Sequence, residues 1–316
     1  MRDRTKLFGL ALIALLFMAL FIGIGLNADN YQYFLSRRVP KVLAMVLAGI
    51  ALAQATLTFQ TITDNRILTP SIMGFDSLYL LTQVLVVAAS GSMGYFTVNE
   101  YANFALSLTV MVGFSVVLFS FYFKGERLNL MMLLLLGVIL GQLFGNLSSF
   151  FIMMMDPNEF ASVQENMFAS FNNVKVELVY ICGPVLALVT LLLYKQHRTL
   201  DVFWLGKDNA MGLGVNVKAV SMRVLVLTAI LVSISTALIG PIMFFGFLVC
   251  NLTREMFNTY EHKTLLLASS LLSVAALLSG QWIIENAFGF STTLSVVINF
   301  IGGIYFLSLL LRNKIS

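Results

Sequence analysis

The sequence is poor in charge. Only 11% of its 316 residues are Asp, Glu, Lys or Arg, against about 25% in soluble globular chains, and 59% are hydrophobic. That leaves too little polar surface for a soluble enzyme and too little acidic or polar composition for a disordered adaptor. Cysteine is equally scarce. Cys182 and Cys250 both sit in apolar runs, so no disulfide framework or CxxC metal site is available, and both read as core or lipid-facing residues. The two histidines, His197 and His262, fall in separate polar segments and read as solvated loop residues. There is no HExxH, no Ser/His/Asp set and no GxxxxGK[ST]; Gly206-Lys207-Asp208 lacks both the loop and the hydroxyl. No metal or nucleotide site of its own is therefore expected, and no enzymatic activity. Ionisable residues that would mark a proton or ion relay inside the membrane reduce to Asp76 and Glu285, both at the ends of apolar runs.

What is present is long apolar sequence. Spans of roughly 20 residues cross a bilayer, and apolar windows bounded by breakers and charges fall at 7–26, 40–61, 74–91, 103–123, 130–152, 177–194, 222–240, 242–256, 264–284 and 293–311. The first is 20 residues long and ends without a small-residue cleavage site, so it reads as a retained helix rather than a signal peptide. The third is interrupted by Thr69-Pro70-Ser71 and Gly74, and the helix break Gly240-Pro241 separates the seventh from a short eighth. The fold class expected is an all-α integral membrane protein, one multi-pass domain over 1–316 with about ten transmembrane helices.

Orientation follows from the basic residues. With both termini cytoplasmic and ten crossings, Arg2, Arg4, Lys6, Arg66, Lys124, Arg127, Lys195, Arg198, Lys207, Lys218, Arg223, Arg254, Lys263, Arg312 and Lys314 lie inside, fifteen of the 19. Arg37, Arg38, Lys41 and Lys175 lie outside. Three of these four crowd into Arg37-Arg38-Val39-Pro40-Lys41 at the start of the second span. Such a cluster reads either as interfacial snorkelling or as a basic patch for an acidic partner or anionic ligand. The net charge of +4 comes from dispersed basic residues, which suits anionic membrane lipid and not nucleic acid.

Three further features stand out. Gly137, Gly141 and Gly145 recur every four residues in the fifth span, a pattern that allows close helix packing or borders a path. The segment 195–221 is the largest cytoplasmic one, and it carries Phe203-Trp204-Leu205-Gly206 and Ala210 through Val217, apolar side chains of the kind that meet a partner or lie in headgroups. The methionines, with pairs and triplets at Met131-Met132 and Met153-Met154-Met155, have no Cys or His beside them and read as apolar filler rather than a soft-metal path.

Taken together, five motifs resemble the permease subunits of iron-chelate ABC importers, the FecCD family, which also includes cobalamin permeases. The family's Arg-Leu-Pro-Arg is matched by Arg38-Val39-Pro40-Lys41, followed by Leu47-Ala48-Gly49-Ile50-Ala51-Leu52-Ala53. Leu134 through Gly141 resembles its helix-five pattern, Asp156-Pro157 its following Asp-Pro, and Ala210 through Val217 its Ala-x-x-Leu-Gly-Val-x-Val. Gly240-Pro241-Ile242-Met243-Phe244-Phe245-Gly246 is similar to its Gly-Pro-Ile-x-Phe-x-Gly. The matches run in family order over nearly the whole chain.

The resemblance implies a type II ABC importer permease of the bacterial plasma (inner) membrane, carrying an iron–siderophore complex. Haem or cobalamin is the alternative cargo, and a stand-alone secondary transporter the alternative class. It implies pairing with a second permease, two cytoplasmic ABC ATPases that hold the ATP and magnesium, and an extracytoplasmic binding protein. Docking of that protein falls to Arg38 and Lys41, with Arg37 nearby. Ala210, Gly212, Leu213, Gly214 and Val215 belong to the ATPase-coupling segment, and Gly137, Gly141 and Gly145 border the path. Lys41 replaces an Arg of the family pattern and so loses bidentate carboxylate geometry. The outer segment from Glu285 to Ser295 lacks the family's Arg and Glu-Leu-Pro, which favours a heterodimer over a homodimer.

Overall fold

The computed structural model describes residues 2–27, 31–124, 130–172, 174–287, 289 and 292–313. Arg127 and Lys314 of the charge count lie outside them. Among the described residues the chain is helical with no strand, as a membrane solvent demands: lipid offers no hydrogen bonds, so each spanning segment must satisfy its own backbone. The helices are α1 (Arg2–Gly23), α2 (Tyr31–Thr63), a 3-10 turn (Pro70–Met73), α3 (Phe75–Ser90), α4 (Tyr95–Val98), α5 (Glu100–Lys124), α6 (Leu130–Met153) and α7 (Pro157–Met167). They continue as α8 (Val176–Lys195), α9 (His197–Phe203), α10 (Lys207–Gly212), α11 (Val217–Ile239), α12 (Phe245–Met256), α13 (His262–Ala287) and α14 (Leu294–Asn313).

Each expected span has its helix. Seven of them, α1, α2, α5, α6, α8, α11 and α13, are long and apolar enough to cross a membrane, and α3 and α14 are shorter apolar helices. The 12 residues of α12 rise about 18 Å at 1.5 Å each, too little to span alone. The two longest polar stretches between spans also carry helices. The stretch 153–176 holds α7, whose start is a capping box with Asp156 at the N-cap, Pro157 next and Glu159 reaching back. The stretch 195–221 holds α9 and α10.

The centre of the bundle is α2, which packs against α13, α11, α8, α12 and α1. Its 33 residues begin nine positions before the expected span and run through Pro40. Hydropathy marks only the lipid-embedded part, whereas the first turns of α2 are held by contacts with α1. Small residues line its buried face, Ala44, Ala48, Ala51, Ala53 and Ala55 all fully buried, so that neighbours approach closely. At Gly246 of α12 a Cβ would lie 2.0 Å from Thr56 Oγ1; the last glycine of the Gly-Pro-Ile motif is where α12 crosses α2. Its first, Gly240, ends α11 at φ +92, and a Cβ there would fall 2.8 Å from Ala169 Cα. Both the left-handed turn and the close approach require glycine. Cys182 and Cys250 are both buried.

Candidate functional site

The chain's chemistry gathers at the two ends of the bundle. At one end, Arg37, Arg38 and Lys41 occupy the first turns of α2 and differ in what they do. Arg38 is half-buried and donates from Nη1 to the Ile22 carbonyl at 3.2 Å and to that of Ile24, closing the C-terminus of α1 where carbonyls lack helical partners. Its guanidinium lies 4.7 Å from the Phe34 ring centre. Lys41 is 16% exposed and ion-pairs with Glu285 in the last turn of α13. It also donates to Asn172 Oδ1, and Gln281 ties the cluster together by donating to Glu285 at 2.8 Å and to Asn172 at 3.2 Å. Arg37 is exposed over the Tyr33 ring, 4.9 Å from its centre.

All of these side chains but that of Gln281 line a cavity of about 610 Å³, which holds four cations, Arg37, Arg38, Lys41 and Lys175, against the one carboxylate of Glu285, with Phe21, Phe34 and Tyr33 among its walls. Lys175 is shared with Glu100 at 3.1 Å, and the neighbouring carboxylate holds the Lys175 ammonium above its ordinary pKa. Sequence reasoning singled out the three α2 cations but missed Asn172 and Gln281, whose amides carry no charge to stand out. Glu285 was visible as an acid at the end of an apolar run; its partner was not.

At the opposite end, α9 and α10 fold the segment 195–221 onto the bundle. Ala210 is fully buried, whereas Met211 and Leu213 are 55% and 64% exposed. Gly214, at φ +83, stops α10: its N–H donates to Met211 O at 2.9 Å and that of Val215 to Ala210 O at 3.0 Å, the paired bonds of a Schellman motif. Within this segment, Ala210, Gly214 and Val215 thus shape the turn, and Gly212 and Leu213 lie exposed on it. Burial holds the Lys207 ammonium at the start of α10 below its usual pKa, partly offset by Asp64.

Beneath α10 the structure corrects one expectation. His262 is not a solvated loop residue; it is fully buried. Its Nδ1–H donates to Asp201 Oδ1 of α9 at 2.8 Å, and Nε2 lies 2.8 Å from Thr61 Oγ1 of α2. The same Asp201 oxygen accepts the His262 backbone N–H at 2.7 Å, capping α13. His197 is half-buried, its Nδ1 bonded to Tyr194 O at 2.9 Å. A histidine in a polar stretch looks exposed in sequence; only the fold puts a carboxylate and a hydroxyl on either side of it.

The tandem glycines divide. A Cβ on Gly137 would stand 2.8 Å from Met73 Cα and one on Gly141 3.2 Å from Gly74 Cα, whereas Gly145 meets nothing within 4 Å. The first two pack α6 onto the 3-10 turn. Gly145 faces open space.

The family model described as the FecCD transport family matches residues 7–312. The chain belongs to the FecCD transport family. Among curated members of that family it is 46% identical to the petrobactin import system permease protein YclO of Bacillus subtilis (strain 168), over 316 residues and the full length of both chains. It is 32% identical to the petrobactin import system permease protein FatC of Bacillus anthracis, over 99% of this chain and 91% of that one. Its fold superposes on the inward-facing structure of a metal-chelate type ABC transporter with a TM-score of 0.84, at 23% identity over 98% of this chain and 99% of the other. As a FecCD protein with this many apolar helices, the chain is a multi-pass protein of the inner membrane.

Proposed function

We propose that this chain is the permease subunit of a binding-protein-dependent ABC importer for an iron–siderophore complex of the petrobactin class. The observation that carries the reading is the end-to-end similarity to a petrobactin import permease at 46% identity, with no segment of either chain left over. The end of the bundle holding Arg37 faces the extracytoplasmic space and the α9–α10 end the cytoplasm, the orientation that puts fifteen of the 19 Lys and Arg inside. An acidic side chain of the binding protein docks at the cavity led by Arg37. Arg38 and Lys41 supply field to that site while holding α1 and α13 in place. Beneath, Gly212 and Leu213 with Met211 and Leu205 offer an apolar ridge to an ABC ATPase. ATP and magnesium act on that partner, and alternating access moves the cargo. A second, related permease completes the pair; the outer segment after Glu285 that lacks the family's docking charge favours a heterodimer.

Affinity purification of the chain in detergent, followed by mass spectrometry and uptake assays, tests the reading. Recovery of an ATPase and a related permease, with uptake of ferric petrobactin in preference to haem or cobalamin, is the expected result. A chain that comes down without any ATPase, under conditions that keep a known importer intact, would return it to the secondary transporters.

A further inference from the structure

We propose that the hydrogen-bonded chain Asp201–His262–Thr61 is the link through which movement of the ATPase-facing segment is passed to α2 and α13. The proposal rests on the importer reading above and adds positioning residues that lie outside the coupling motif.

Three elements meet at this chain. Asp201 belongs to α9, His262 opens α13, and Thr61 lies in the last turn of α2; α9 packs against both of the others. With Nδ1–H committed to the Asp201 carboxylate, Nε2 meets the Thr61 hydroxyl at 2.8 Å, a hydroxyl that also lies 2.9 Å from the Leu57 carbonyl one turn back in α2, so a single buried side chain connects α9 to α2 through the start of α13. Bonds to a carboxylate are about twice as strong as neutral ones, and Asp201 Oδ1 takes two of them, from the ring and from the α13 backbone. The link is short and made of directional bonds, with His262 and Thr61 buried and Asp201 30% exposed, so a displacement of α9 is resisted by bonds that favour one geometry.

The C-cap of α9 adds a second hold. The Trp204 ring stands edge-on to His262 with centroids 6.1 Å apart, and the guanidiniums of Arg66, in the loop after α2, and Arg254, in the last turn of α12, lie 5.1 and 5.7 Å from its centre. Arg254's nitrogens are buried with no hydrogen-bond acceptor among the described residues, so the indole face is what they rest on. One seven-residue helix is therefore tied toward α2, α12 and α13 by polar and cation–π contacts in addition to the apolar packing of its buried Leu200 and Phe203. The side chains between Ala210 and Val215 touch the ATPase in the proposed importer; Asp201 and Trp204 are what that touch would pull on.

The test uses the whole complex, permease pair, ATPases and binding protein, in lipid vesicles, and reads ferric petrobactin taken up per ATP hydrolysed. Loss of folded complex lowers uptake and hydrolysis together and leaves their ratio unchanged; a broken link lowers the ratio. Asp201→Ala should reduce it about tenfold, the effect of losing a charge-assisted bond of the usual strength. Asp201→Asn keeps an acceptor oxygen in place, and Thr61→Val keeps the shape of Thr61; each should reduce the ratio about threefold. These two carry the test if Asp201→Ala fails to assemble. A ratio within about twofold of the parent in the assembled variants overturns the link. Failure of the parent complex itself to show binding-protein-stimulated hydrolysis overturns the importer reading instead.

Discussion

Replacing the tandem glycines of α6 one at a time by alanine separates packing from path lining. At Gly137 the new Cβ would come 2.8 Å from Met73 Cα, a backbone atom that cannot swing aside, where carbon atoms prefer about 3.5–4.0 Å. The 3-10 turn and α6 must move apart by most of an ångström, and overpacking of this kind costs about 1–3 kcal/mol. Alanine returns about 1 kcal/mol through its helix propensity, so Gly137→Ala should be net destabilising by up to about 2 kcal/mol. Gly141→Ala meets Gly74 Cα at 3.2 Å and should cost less. Gly145→Ala meets nothing within 4 Å and should be neutral or stabilising by up to about 1 kcal/mol. The assay is reversible unfolding of the purified chain in mixed micelles by SDS titration, which reads the three free energies directly. A Gly137→Ala chain as stable as Gly145→Ala would refute the packing argument. Uptake adds the complementary information: Gly145→Leu, harmless to the isolated chain, blocks transport if the space beside it is the path or the second permease.

At the outer end, Arg37→Glu should weaken binding-protein affinity about tenfold while leaving unfolding unchanged, because Arg37 is exposed and the other two cations are structural; surface plasmon resonance against the immobilised complex measures it. Lys41→Ala should destabilise the chain by about 3 kcal/mol by leaving Glu285 in a mostly buried site without its cation, and the double exchange Lys41→Glu with Glu285→Lys should recover part of that loss in the same SDS titration. At the inner end, Gly212→Asp with Leu213→Asp should abolish binding-protein stimulation of ATP hydrolysis without lowering the yield of the chain, since both positions face solvent in the isolated subunit; full stimulation would remove the coupling assignment.

Much of the architecture was legible beforehand because a bilayer is an exacting solvent. The ten apolar windows each fell on a helix, and Gly74 and Gly240, flagged as breakers, sit at φ +87 and φ +92. Boundaries drifted where the solvent changed. The start of α2 was placed at Pro40, the edge of the apolar window, although the helix continues to Tyr31 through contacts with α1. α9 and α10 gave no periodic signal because six- and seven-residue helices carry too few turns for one; only the family resemblance pointed to helix around Ala210.

The candidate sites divide the same way. Charge placed Arg37, Arg38 and Lys41 in one group, and family order placed Ala210 through Val215 in another; neither needed coordinates. Which of those cations faces solvent could not be read, because Glu285 is 244 residues from Lys41 along the chain and only packing of α13 on α2 brings them together. His262, separated by 61 residues from Asp201 and by 201 from Thr61, was misjudged for that reason. Hydropathy and the cost of unpaired backbone in lipid determine from sequence alone that the chain is a bundle of membrane helices, and about where each one runs. Which polar side chains meet inside that bundle was decided by the tertiary structure, because hydrogen bonds act over about 3 Å and sequence carries no record of which distant residues come that close.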